Sequence, residues 1–570
     1  MIPKILMLES RRERESCGFP LFCFHFPLLG KNKQLSLQQN REIMAKRKYP
    51  VGIQTFSQIV QGGYVYIDKT DLVWELVHYA KYVFLSRPRR FGKSLLTSTL
   101  ESYFCGEKPL FEGLKIMDLE KEWKSYPVIR LDLSMVKGQE TVADLQARLL
   151  SVLKPYTLIY GRDEDEVTPG GLLAGLIRRA WEQTGEQVAI VVDEYDAPLL
   201  DVLHDSKLLD EARRVMQEFY VPLKASEAMV KFCFITGITR LSQLNIFSTL
   251  NNLTNVSLLP AFSTICGITE EELYGLLHAD ILELAQEYEC TEDEMKSRLK
   301  VRYDGYHFSR NSVGVYNPYS LFSAFVNKTI ANNWFETGTP TFLIRMMRQF
   351  GFDITNMDNI ETTDYAINRP TEAMTTMIPL LYQTGYLTIS GYDKEADIYT
   401  LSIPNQEVRV GYADGLLPAY VGLEGENVQT GFALKFWRAL KAGDVDLAMR
   451  EMQRFLEGVP YVEGFKKKLA EAAVAEGFYE YTMYLIFSML NVYARTQVKC
   501  ARGRIDMVVW MPDTVYVFEL KTKETAQKAL EQIDDKSYAI PYQADGRRVV
   551  KVGVKFNVET RVPEDWVICE

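Results

Sequence analysis

The first half of the chain carries five short apolar runs that alternate with stretches of helical periodicity. These runs are Tyr82–Ser86, Val128–Asp132, Val188–Val192, Lys231–Ile235 and Val256–Leu259. Because Val, Ile, Leu and Phe fill nearly every position, the runs predict strands that are buried on both faces, as in a parallel sheet covered by helices. The alternation of strand and helix predicts right-handed crossovers and an α/β fold.

The middle of the chain reads as mainly helical. Three Glu residues at 270–272 are typical of the first turn of a helix. A helical pattern from Met374 to Gln383 is followed by two β-rich segments, Tyr386–Ser390 and Ile398–Ser402, which is the layout of a winged helix. Because this helix is not basic, packing against the rest of the protein is favoured over contact with DNA.

The last hundred residues combine a strongly apolar helix over Glu471–Leu490 with a predicted hairpin. The strands Gly503–Trp510 and Val515–Lys521 flank Met511–Thr514, and Pro512 in the second turn position favours a tight turn. A two-residue turn pairs Met511 with Thr514.

In that register Asp506 lies opposite Glu519, and Lys521 shares the face of Glu519 because it is two residues further along the strand. Two close carboxylates repel each other unless a cation lies between them, and Mg²⁺ prefers oxygen ligands. The backbone carbonyl of Leu520 is a candidate third ligand. Lys521 is suited to orient or deprotonate a water or to neutralise a phosphate, so this group predicts phosphodiester hydrolysis.

Composition narrows the class of protein. The 570 residues are 47% hydrophobic and 25% charged, which excludes disordered and collagen-like chains. The net charge of −10 argues against a protein that coats nucleic acid non-specifically, although a local basic groove is compatible with it. The eight Cys form no CxxC pair, which argues against a zinc site and fits a reducing cytoplasm, and no apolar run is long enough to span a membrane.

The first predicted strand runs directly into Ser86–Ser94, a phosphate-loop pattern followed by a helix. Backbone N–H groups at the start of a helix bind anions, Lys93 can reach the phosphates of ATP, and the Ser94 hydroxyl can hold Mg²⁺. Gly92 permits close approach of the backbone. The pattern G-x-x-x-x-G-K-[ST] requires Gly at position 87, where this chain has Arg87. The candidate ATP-binding residues of the loop are Arg89, Arg90, Phe91, Gly92, Lys93, Ser94 and Leu95.

Polar residues follow two further strands. Asp193 ends the third strand beside the loop, at the edge where α/β sheets bind ligands, and is a candidate Mg²⁺ ligand. Glu194 is suited to polarise an attacking water. After the fourth strand, Thr236 or Thr239 could detect the terminal phosphate. Arg240 is either an arginine finger or part of a surface ion pair.

These residues resemble the prokaryotic AAA-ATPase-like family that is commonly fused to a C-terminal nuclease-like domain. The resemblance covers residues 48–340, and it implies a P-loop ATPase that accepts Arg at the first loop position. The matching segments are Tyr66–Thr70, Arg87–Ser94, Val192–Asp196, Thr236–Leu241, Tyr303–Tyr306 and Tyr316–Ser320.

The C-terminal part resembles the PD-(D/E)XK nuclease-like superfamily over residues 461–543, through Gly503–Asp506 and Phe518–Lys521. The resemblance implies that Glu476 is an acidic helix residue near the metal and that Gln532 and Tyr538 support the site. The nearby basic residues, which predict a strip facing DNA, are Arg495, Lys499, Arg502, Arg504 and Lys523.

The sequence therefore predicts a P-loop NTPase parallel sheet, a helical and winged-helix-like middle, and a C-terminal α/β restriction-endonuclease-like domain. The expected divisions are an extension outside the fold (1–43), the ATPase domain (44–270), its helical part (271–340), the winged-helix-like domain (341–460) and the nuclease-like domain (461–570).

The functional prediction is a cytoplasmic ATPase coupled to a Mg²⁺-dependent nuclease acting on DNA. The alternative is an ATP-controlled switch that binds nucleic acid or protein with little or no nuclease activity. A homo-oligomer and a partner protein both remain open.

Overall fold

The structure is a computed structural model in which most of the chain is described. The described residues are 47–203, 205–239, 252–334, 343, 346–347, 350, 352–355, 357–369, 376–421, 430–458, 472–490, 492–544 and 546–570. The expected N-terminal extension over 1–43 lies outside them. Residues Tyr49–Glu570 form one structural unit.

A parallel five-stranded sheet organises the N-terminal part, in the order β2-β3-β4-β1-β5. The strands are β1 (Tyr82–Ser86), β2 (Val128–Asp132), β3 (Val188–Asp193), β4 (Val230–Gly237) and β5 (Thr254–Asn255). All positions of β1 and β3 are buried, as predicted for strands covered on both faces, whereas the edge strand β2 alternates buried and half-buried positions, so the prediction is wrong for β2.

The fifth predicted strand is displaced. The run Val256–Leu259 is not a strand, because the chain turns immediately after Asn255. The side-chain oxygen of Asn255 accepts the N–H of Ser257 at 3.0 Å, which closes a turn that replaces further pairing with β1.

Helices cover this sheet and connect its strands. They are α1 (Phe56–Gln61), α2 (Thr70–Tyr79), α3 (Lys93–Phe104), α4 (Ile116–Leu119), α5 (Val142–Tyr160), α6 (Pro169–Thr184), α7 (Ala197–Asp201) and α8 (Ser206–Ala225).

The middle of the chain is helical with two small sheets. A capping box between Thr269 and Glu272 starts the helix that the acidic run predicts. The elements are β6 (Ile268–Thr269), α9 (Glu270–Leu276), α10 (His278–Glu287), α11 (Glu292–Tyr303), β7 (Val315–Tyr316), α12 (Pro318–Asn327), β8 (Ile360–Thr363), α13 (Asp364–Ile367), α14 (Ile378–Thr384), β9 (Thr388–Asp393), β10 (Ile398–Ser402), α15 (Gln406–Val421), α16 (Thr430–Lys441) and α17 (Val445–Glu457).

The helix-then-hairpin layout is present. The helix α14 ends at Gly385, whose φ of 90° is the left-handed conformation that favours glycine at a helix end. The antiparallel strands β9 and β10 follow, and β8 pairs with the outer side of β10. Met374, the predicted start of this helix, lies outside the described residues.

The C-terminal sheet has the order β11-β12-β13-β14-β15, in which β13 and β14 are parallel and the other neighbours antiparallel. Its elements are α18 (Ala472–Met489), β11 (Tyr493–Cys500), β12 (Gly503–Trp510), β13 (Thr514–Lys521), α19 (Ala526–Asp535), α20 (Ile540–Gln543), β14 (Arg548–Phe556) and β15 (Pro563–Cys569). The pairing of Trp510 with Val515 confirms the predicted hairpin register.

One continuous apolar core joins the three parts of the chain. It contains Phe91 of the phosphate loop, Leu380 of α14, Tyr484 of α18 and Phe518 of β13. Divisions at residues 340 and 460 stay predictions. Among the described helices, none combines the length and apolar character that crossing a bilayer requires.

Candidate nucleotide and metal sites

The phosphate loop joins the end of β1 to the start of α3, as the sequence predicts. Gly92 occupies the N-cap position of α3 with φ 90°, a conformation that glycine adopts without steric cost. A side-chain carbon at Gly92 would meet no atom within 4 Å, so the space in front of the helix start is open. This geometry fits the approach of an anion to the backbone N–H groups.

Lys93 lies almost fully buried at the first position of α3. Its ammonium group donates to the backbone oxygens of Arg87 at 3.0 Å and Pro88 at 2.9 Å. Burial lowers the pKa of Lys93, and the nearby charges of Asp193 and Glu194 oppose that change. An ammonium held inside the loop can exchange these carbonyls for phosphate oxygens.

Arg87, which replaces the expected glycine, binds the protein itself. Only 2% of the residue is exposed. Its guanidinium donates to the backbone oxygens of Ser257 at 2.9 Å and Phe262 at 2.8 Å, and it lies 4.3 Å from the ring centre of Phe308. Arg87 therefore ties the end of β1 to the segment that follows β5.

The other two loop arginines differ in their surroundings. Arg90 has a φ of 67°, donates to the backbone oxygen of Asn333 and lies 3.9 Å from the ring centre of Tyr319. The side chain of Arg89 is exposed, while its backbone oxygen accepts the indole N–H of Trp334 at 3.4 Å. Arg89 is thus better placed than Arg90 to contact a ligand from solvent.

Phe91 and Leu95 are apolar supports of the loop. Phe91 is buried and packs edge-on against Tyr306, with ring centres 4.7 Å apart. Leu95 and Gly92 line an apolar cavity that extends to Ile67 of the segment before α2. Tyr306, from the segment after α11, therefore packs against the phosphate loop.

Asp193 lies at the end of β3 beside the start of α3. Its carboxylate accepts the Thr97 hydroxyl at 3.3 Å and a hydrogen bond from Ser94. Burial raises the pKa of Asp193, while the Ser94 hydrogen bond and the Lys93 charge oppose the change. The structure therefore brings together the two residues predicted to hold the Mg²⁺ of ATP.

Glu194 follows in a left-handed conformation with φ 47°. Its carboxylate is 29% exposed and lies 3.7 Å from the ammonium of Lys137. Large side chains rarely adopt this backbone conformation, and such strain often accompanies functional positions. The side chain is accessible to a water molecule next to Asp193.

Thr236, near the end of β4, and Thr239, just after it, both have acceptors for their hydroxyl groups. Thr236 is fully buried and donates to the backbone oxygen of Leu85 at 2.6 Å. Thr239 donates to the buried carboxylate of Asp196 at 2.7 Å. Their role as phosphate sensors stays a prediction, and Arg240 lies outside the described residues.

A row of polar residues crosses the C-terminal sheet. Met507 pairs with Phe518, so the next position of the register brings Asp506 opposite Glu519. The pairing of β11 with β12 brings Gln497 opposite Asp506 on the other side. Three neighbouring strands thus contribute one polar residue each at the same level.

Glu519 is the buried centre of this group, with 1% of the residue exposed. Its Oε1 accepts the ammonium of Lys521 at 3.0 Å and the side-chain amide of Gln532. Burial and then the charge of Asp506 raise the pKa of Glu519 to about 7, although Lys521 opposes this. Asp506 also accepts the backbone N–H of Leu520 at 2.8 Å.

Helix α18 adds a second buried carboxylate, Glu480, which the sequence interpretation missed. Its Oε2 accepts the side-chain amide of Gln497 at 2.6 Å. Burial raises its pKa to about 7, the hydrogen bonds from Gln497 and Thr496 oppose the change, and the charge of Asp506 adds to it. The predicted helix residue, Glu476, has its backbone in α18, and its side chain lies outside the described part of the chain.

The chemistry of this donor set fits a divalent cation. Glu519 Oε2 and Glu480 Oε1 are buried carboxylate oxygens without a hydrogen-bond partner among the described residues. Such oxygens are costly unless a cation or a proton neutralises them. Within the same part of the chain, no three or more His, Cys, Asp or Glu residues are grouped closely enough to hold a metal ion. Asp506 and Glu519 with the backbone carbonyl of Leu520 therefore stay the predicted ligand set.

Exposed cations surround this group. Lys499 of β11 pairs directly with Arg504 of β12, and like charges in that relation repel each other unless an anion lies near them. The backbone N–H of Arg504 donates to the hydroxyl of Tyr538 at 3.2 Å, so Tyr538 supports the start of β12. The five residues of the predicted strip, all exposed, are Arg495, Lys499, Arg502, Arg504 and Lys523.

Comparisons with known proteins agree with both regions. A family model described as a predicted AAA-ATPase matches residues 50–247, and one described as the PD-(D/E)XK nuclease superfamily matches residues 474–566. An uncharacterized protein in the vnfD 5′ region of Azotobacter chroococcum mcd 1 is 31% identical over 533 residues, covering 92% of this chain and 99% of the relative. The chain belongs to the AAA-ATPase-like family with a C-terminal PD-(D/E)XK nuclease domain.

The chain is also similar to solved structures, of which one is an ATPase. The Walker-type ATPase of Pyrococcus abyssi is 12% identical, with a TM-score of 0.32, and the match covers 60% of this chain and 93% of that one.

Within the AAA-ATPase-like domain, the matched residues include the phosphate loop and Asp193 with Glu194. Within the PD-(D/E)XK domain, they include Asp506 and Glu519. Glu480 lies one helical turn after Glu476, on the same side of the helix, so that spacing is the signal that could have found it.

Proposed function

We propose that the protein hydrolyses ATP at the phosphate loop and that this ATPase controls a Mg²⁺-dependent nuclease acting on DNA in the cytoplasm. The observation that carries the proposal is the group around Glu519. A buried carboxylate opposite Asp506, with Lys521 at 3.0 Å and one oxygen that has no partner among the described residues, is costly unless a cation or a proton neutralises it.

At the N-terminal site, Lys93 and the backbone at Gly92 would hold the phosphates of ATP. Ser94 and Asp193 would hold its Mg²⁺, which offsets the negative charge of the phosphates when bound. Glu194 would orient the attacking water.

At the C-terminal site, Asp506, Glu519 and the backbone carbonyl of Leu520 would hold Mg²⁺, which supplies charge for the scissile phosphate and lowers the pKa of a water. Lys521 would orient that water. Gln532 holds one oxygen of Glu519, which leaves the other oxygen of that carboxylate for the metal. The exposed cations Lys499 and Arg504 would bind the DNA backbone.

The cytoplasmic assignment rests on the thiols. Six cysteines in the described part of the chain are free, namely Cys105, Cys233, Cys266, Cys290, Cys500 and Cys569. Free thiols are typical of a reducing compartment.

The alternative is an ATP-controlled binding switch with little nuclease activity. The observation that favours it is the absence, among the described residues, of any group of three or more metal-binding side chains. In a switch, the same cationic strip would bind nucleic acid without cleaving it.

DNA cleavage by the full chain separates the two functions. Lys521→Ala is compared with Lys536→Ala, an exposed lysine after α19 that serves as the matched control. The proposal expects Mg²⁺-dependent cleavage that Lys521→Ala abolishes and Lys536→Ala retains. DNA binding with ATP turnover but without cleavage by the wild type would favour the switch and contradict the nuclease.

A further inference from the structure

A second cleft lies at the opposite end of the ATPase sheet from the phosphate loop. It has a volume of about 560 Å³, within the range of about 300–1,000 Å³ that is usual for ligand sites. Lys81, which precedes β1, and Lys231, near the start of β4, both line it. Because the strands are parallel, the phosphate loop follows their other ends, about 15 Å away at the usual rise per residue.

Aromatic rings form the walls of this cleft. Trp74 from α2, Tyr103 from α3, and Trp123 and Tyr126 from the segment before β2 all line it. The rings of Tyr103 and Trp123 are 6.0 Å apart at a steep angle, so they make a corner rather than a stack. Aromatic faces of this kind bind bases by stacking.

Trp123 is held in an unusual conformation. Its φ of 48° lies in the left-handed region, which is rare for a bulky residue. Glu120 maintains this turn, because its carboxylate accepts the backbone N–H of Glu122 at 2.8 Å and that of Trp123 at 3.4 Å. Such strain is maintained where the surrounding structure requires it, and it is frequent at ligand sites.

The indole N–H of Trp123 is buried and has no hydrogen-bond partner among the described residues. A buried donor without an acceptor is costly, so this group suits an acceptor on a ligand. Ring nitrogens and carbonyl oxygens of bases are acceptors of this type.

Four lysines line the cleft, in a protein whose net charge is −10. Lys81 and Lys124 have carboxylate partners, Glu227 and Glu186, each at 2.7 Å. Lys121 and Lys231 are exposed, and Lys231 lies 5.4 Å from the ring centre of Tyr126. Glu120 and Glu122 also line the cleft, so with Glu186 and Glu227 the formal charges balance, and Lys121 and Lys231 are the lysines of the lining that form no ion pair among the described residues.

We propose that this cleft is a second ligand site that binds one nucleotide unit, a planar base with a phosphate. That chemistry matches the cleft in three ways. The base can stack on the aromatic walls, an acceptor on the base can bind the indole N–H of Trp123, and the lysines can bind the phosphate. The unit can come from a free mononucleotide or from the end of a nucleic-acid strand. The proposal does not depend on ATP hydrolysis or on DNA cleavage.

The test is calorimetric titration of the full-length protein with each of two probes, AMP and the single strand dT10. The cleft variants are Trp123→Phe, which keeps a ring but removes the N–H, and the double variant Lys121→Gln with Lys231→Gln. Lys207→Gln removes an exposed charge from α8 and is the matched control. A second titration in Lys93→Ala removes the contribution of the phosphate loop, and thermal unfolding of each variant verifies the fold.

We expect that Lys93→Ala still binds the probe. Trp123→Phe should bind about fivefold more weakly, because one hydrogen bond is lost. The double lysine variant should bind about tenfold more weakly or worse. Lys207→Gln should bind as the wild type does, and ATP turnover should be unchanged in the cleft variants. Binding of AMP identifies a free mononucleotide as the source, and binding of dT10 alone identifies a strand end. If neither probe binds, or if the cleft variants bind as tightly as the control, the proposal is wrong.

Discussion

The backbone N–H of Trp334 donates a hydrogen bond of 2.9 Å to the carboxylate of Glu407, the second residue of α15. The indole N–H of the same tryptophan donates to the backbone oxygen of Arg89 in the phosphate loop. Glu407 is 1% exposed. A buried carboxylate is therefore linked through one residue to the phosphate loop.

The raised pKa of Glu407 predicts that the stability of the protein depends on pH. Burial raises its pKa from 4.5 to about 7, against hydrogen bonds from Trp334 and Ser320. Between these values Glu407 ionises in the unfolded chain but stays protonated in the folded one. The free energy of unfolding should therefore fall as the pH rises from about 4.5 to about 7, by about 3 kcal/mol from this residue.

Glu407→Gln isolates this contribution, because the amide retains an acceptor and cannot ionise. Chemical denaturation at a series of pH values should show the variant gaining stability relative to the wild type over that interval. Parallel stability curves for the two proteins would contradict the assignment.

The contacts of Arg87, which occupies the glycine position of the loop pattern, predict that this residue stabilises the fold. Arg87→Gly restores the common pattern but removes a buried guanidinium, leaving the oxygens of Ser257 and Phe262 without these donors. We expect a loss of about 2–6 kcal/mol in the free energy of unfolding, because each of the two buried oxygens left without a donor costs about 1–3 kcal/mol. Arg89→Gly, at an exposed position two residues later, should cost about 1 kcal/mol or less, because glycine mainly adds freedom to the unfolded chain. Equal stability of the two variants would refute this role of Arg87.

Much of the fold follows from local pattern. Continuous apolar runs identified β1 to β4, and the turn at Pro512 fixed the register that brings Asp506 opposite Glu519. The position of β5 could not be found in this way, because the side chain of Asn255 ends the strand through a contact that apolarity does not indicate. A continuous apolar run thus predicts where a buried strand lies. It does not predict where the strand ends when a side chain binds the backbone, as Asn255 does.

The site was predictable only in part. Motif spacing found Lys93, Asp193 and Glu519, because those residues follow strands or turns directly. Arg87 looked like a departure from the loop pattern, since its partners lie about 170 positions later in the chain. Glu480 was missed for a similar reason, because its importance comes from Gln497 and Asp506 on strands that the helix only meets after folding.

The role proposed for Glu194 predicts that its substitution slows ATP hydrolysis without changing ATP affinity. Glu194→Gln keeps the shape of the side chain but cannot accept a proton from water. We expect ATP turnover to fall by about 10²–10⁴-fold while ATP affinity stays within about twofold. Lys137→Met, which removes the cation 3.7 Å from Glu194, is the companion variant and should retain turnover within about tenfold. Full turnover in Glu194→Gln would exclude the assigned role.

We predict that substitutions of Glu480 and Glu476, two acidic residues of α18, lower the metal affinity to different extents. Glu480 is buried, with one oxygen lacking a partner among the described residues, and its charge interacts with that of Asp506. Glu480→Gln should weaken Mn²⁺ binding to the full-length protein by about tenfold or more, as expected for a residue that supports a metal site. Glu476→Gln, one turn earlier, should have the smaller effect. The reverse order, measured by calorimetry, would assign the supporting role to Glu476 instead of Glu480.

The most direct test of the coupled ATPase and nuclease is cleavage of a supercoiled plasmid with Mg²⁺, with and without ATP. The wild type should cut the plasmid at a rate that changes when ATP is added. Lys521→Ala should lose cleavage but retain ATP turnover, and Lys93→Ala should lose the response to ATP. Cleavage by Lys521→Ala at the wild-type rate would contradict the account.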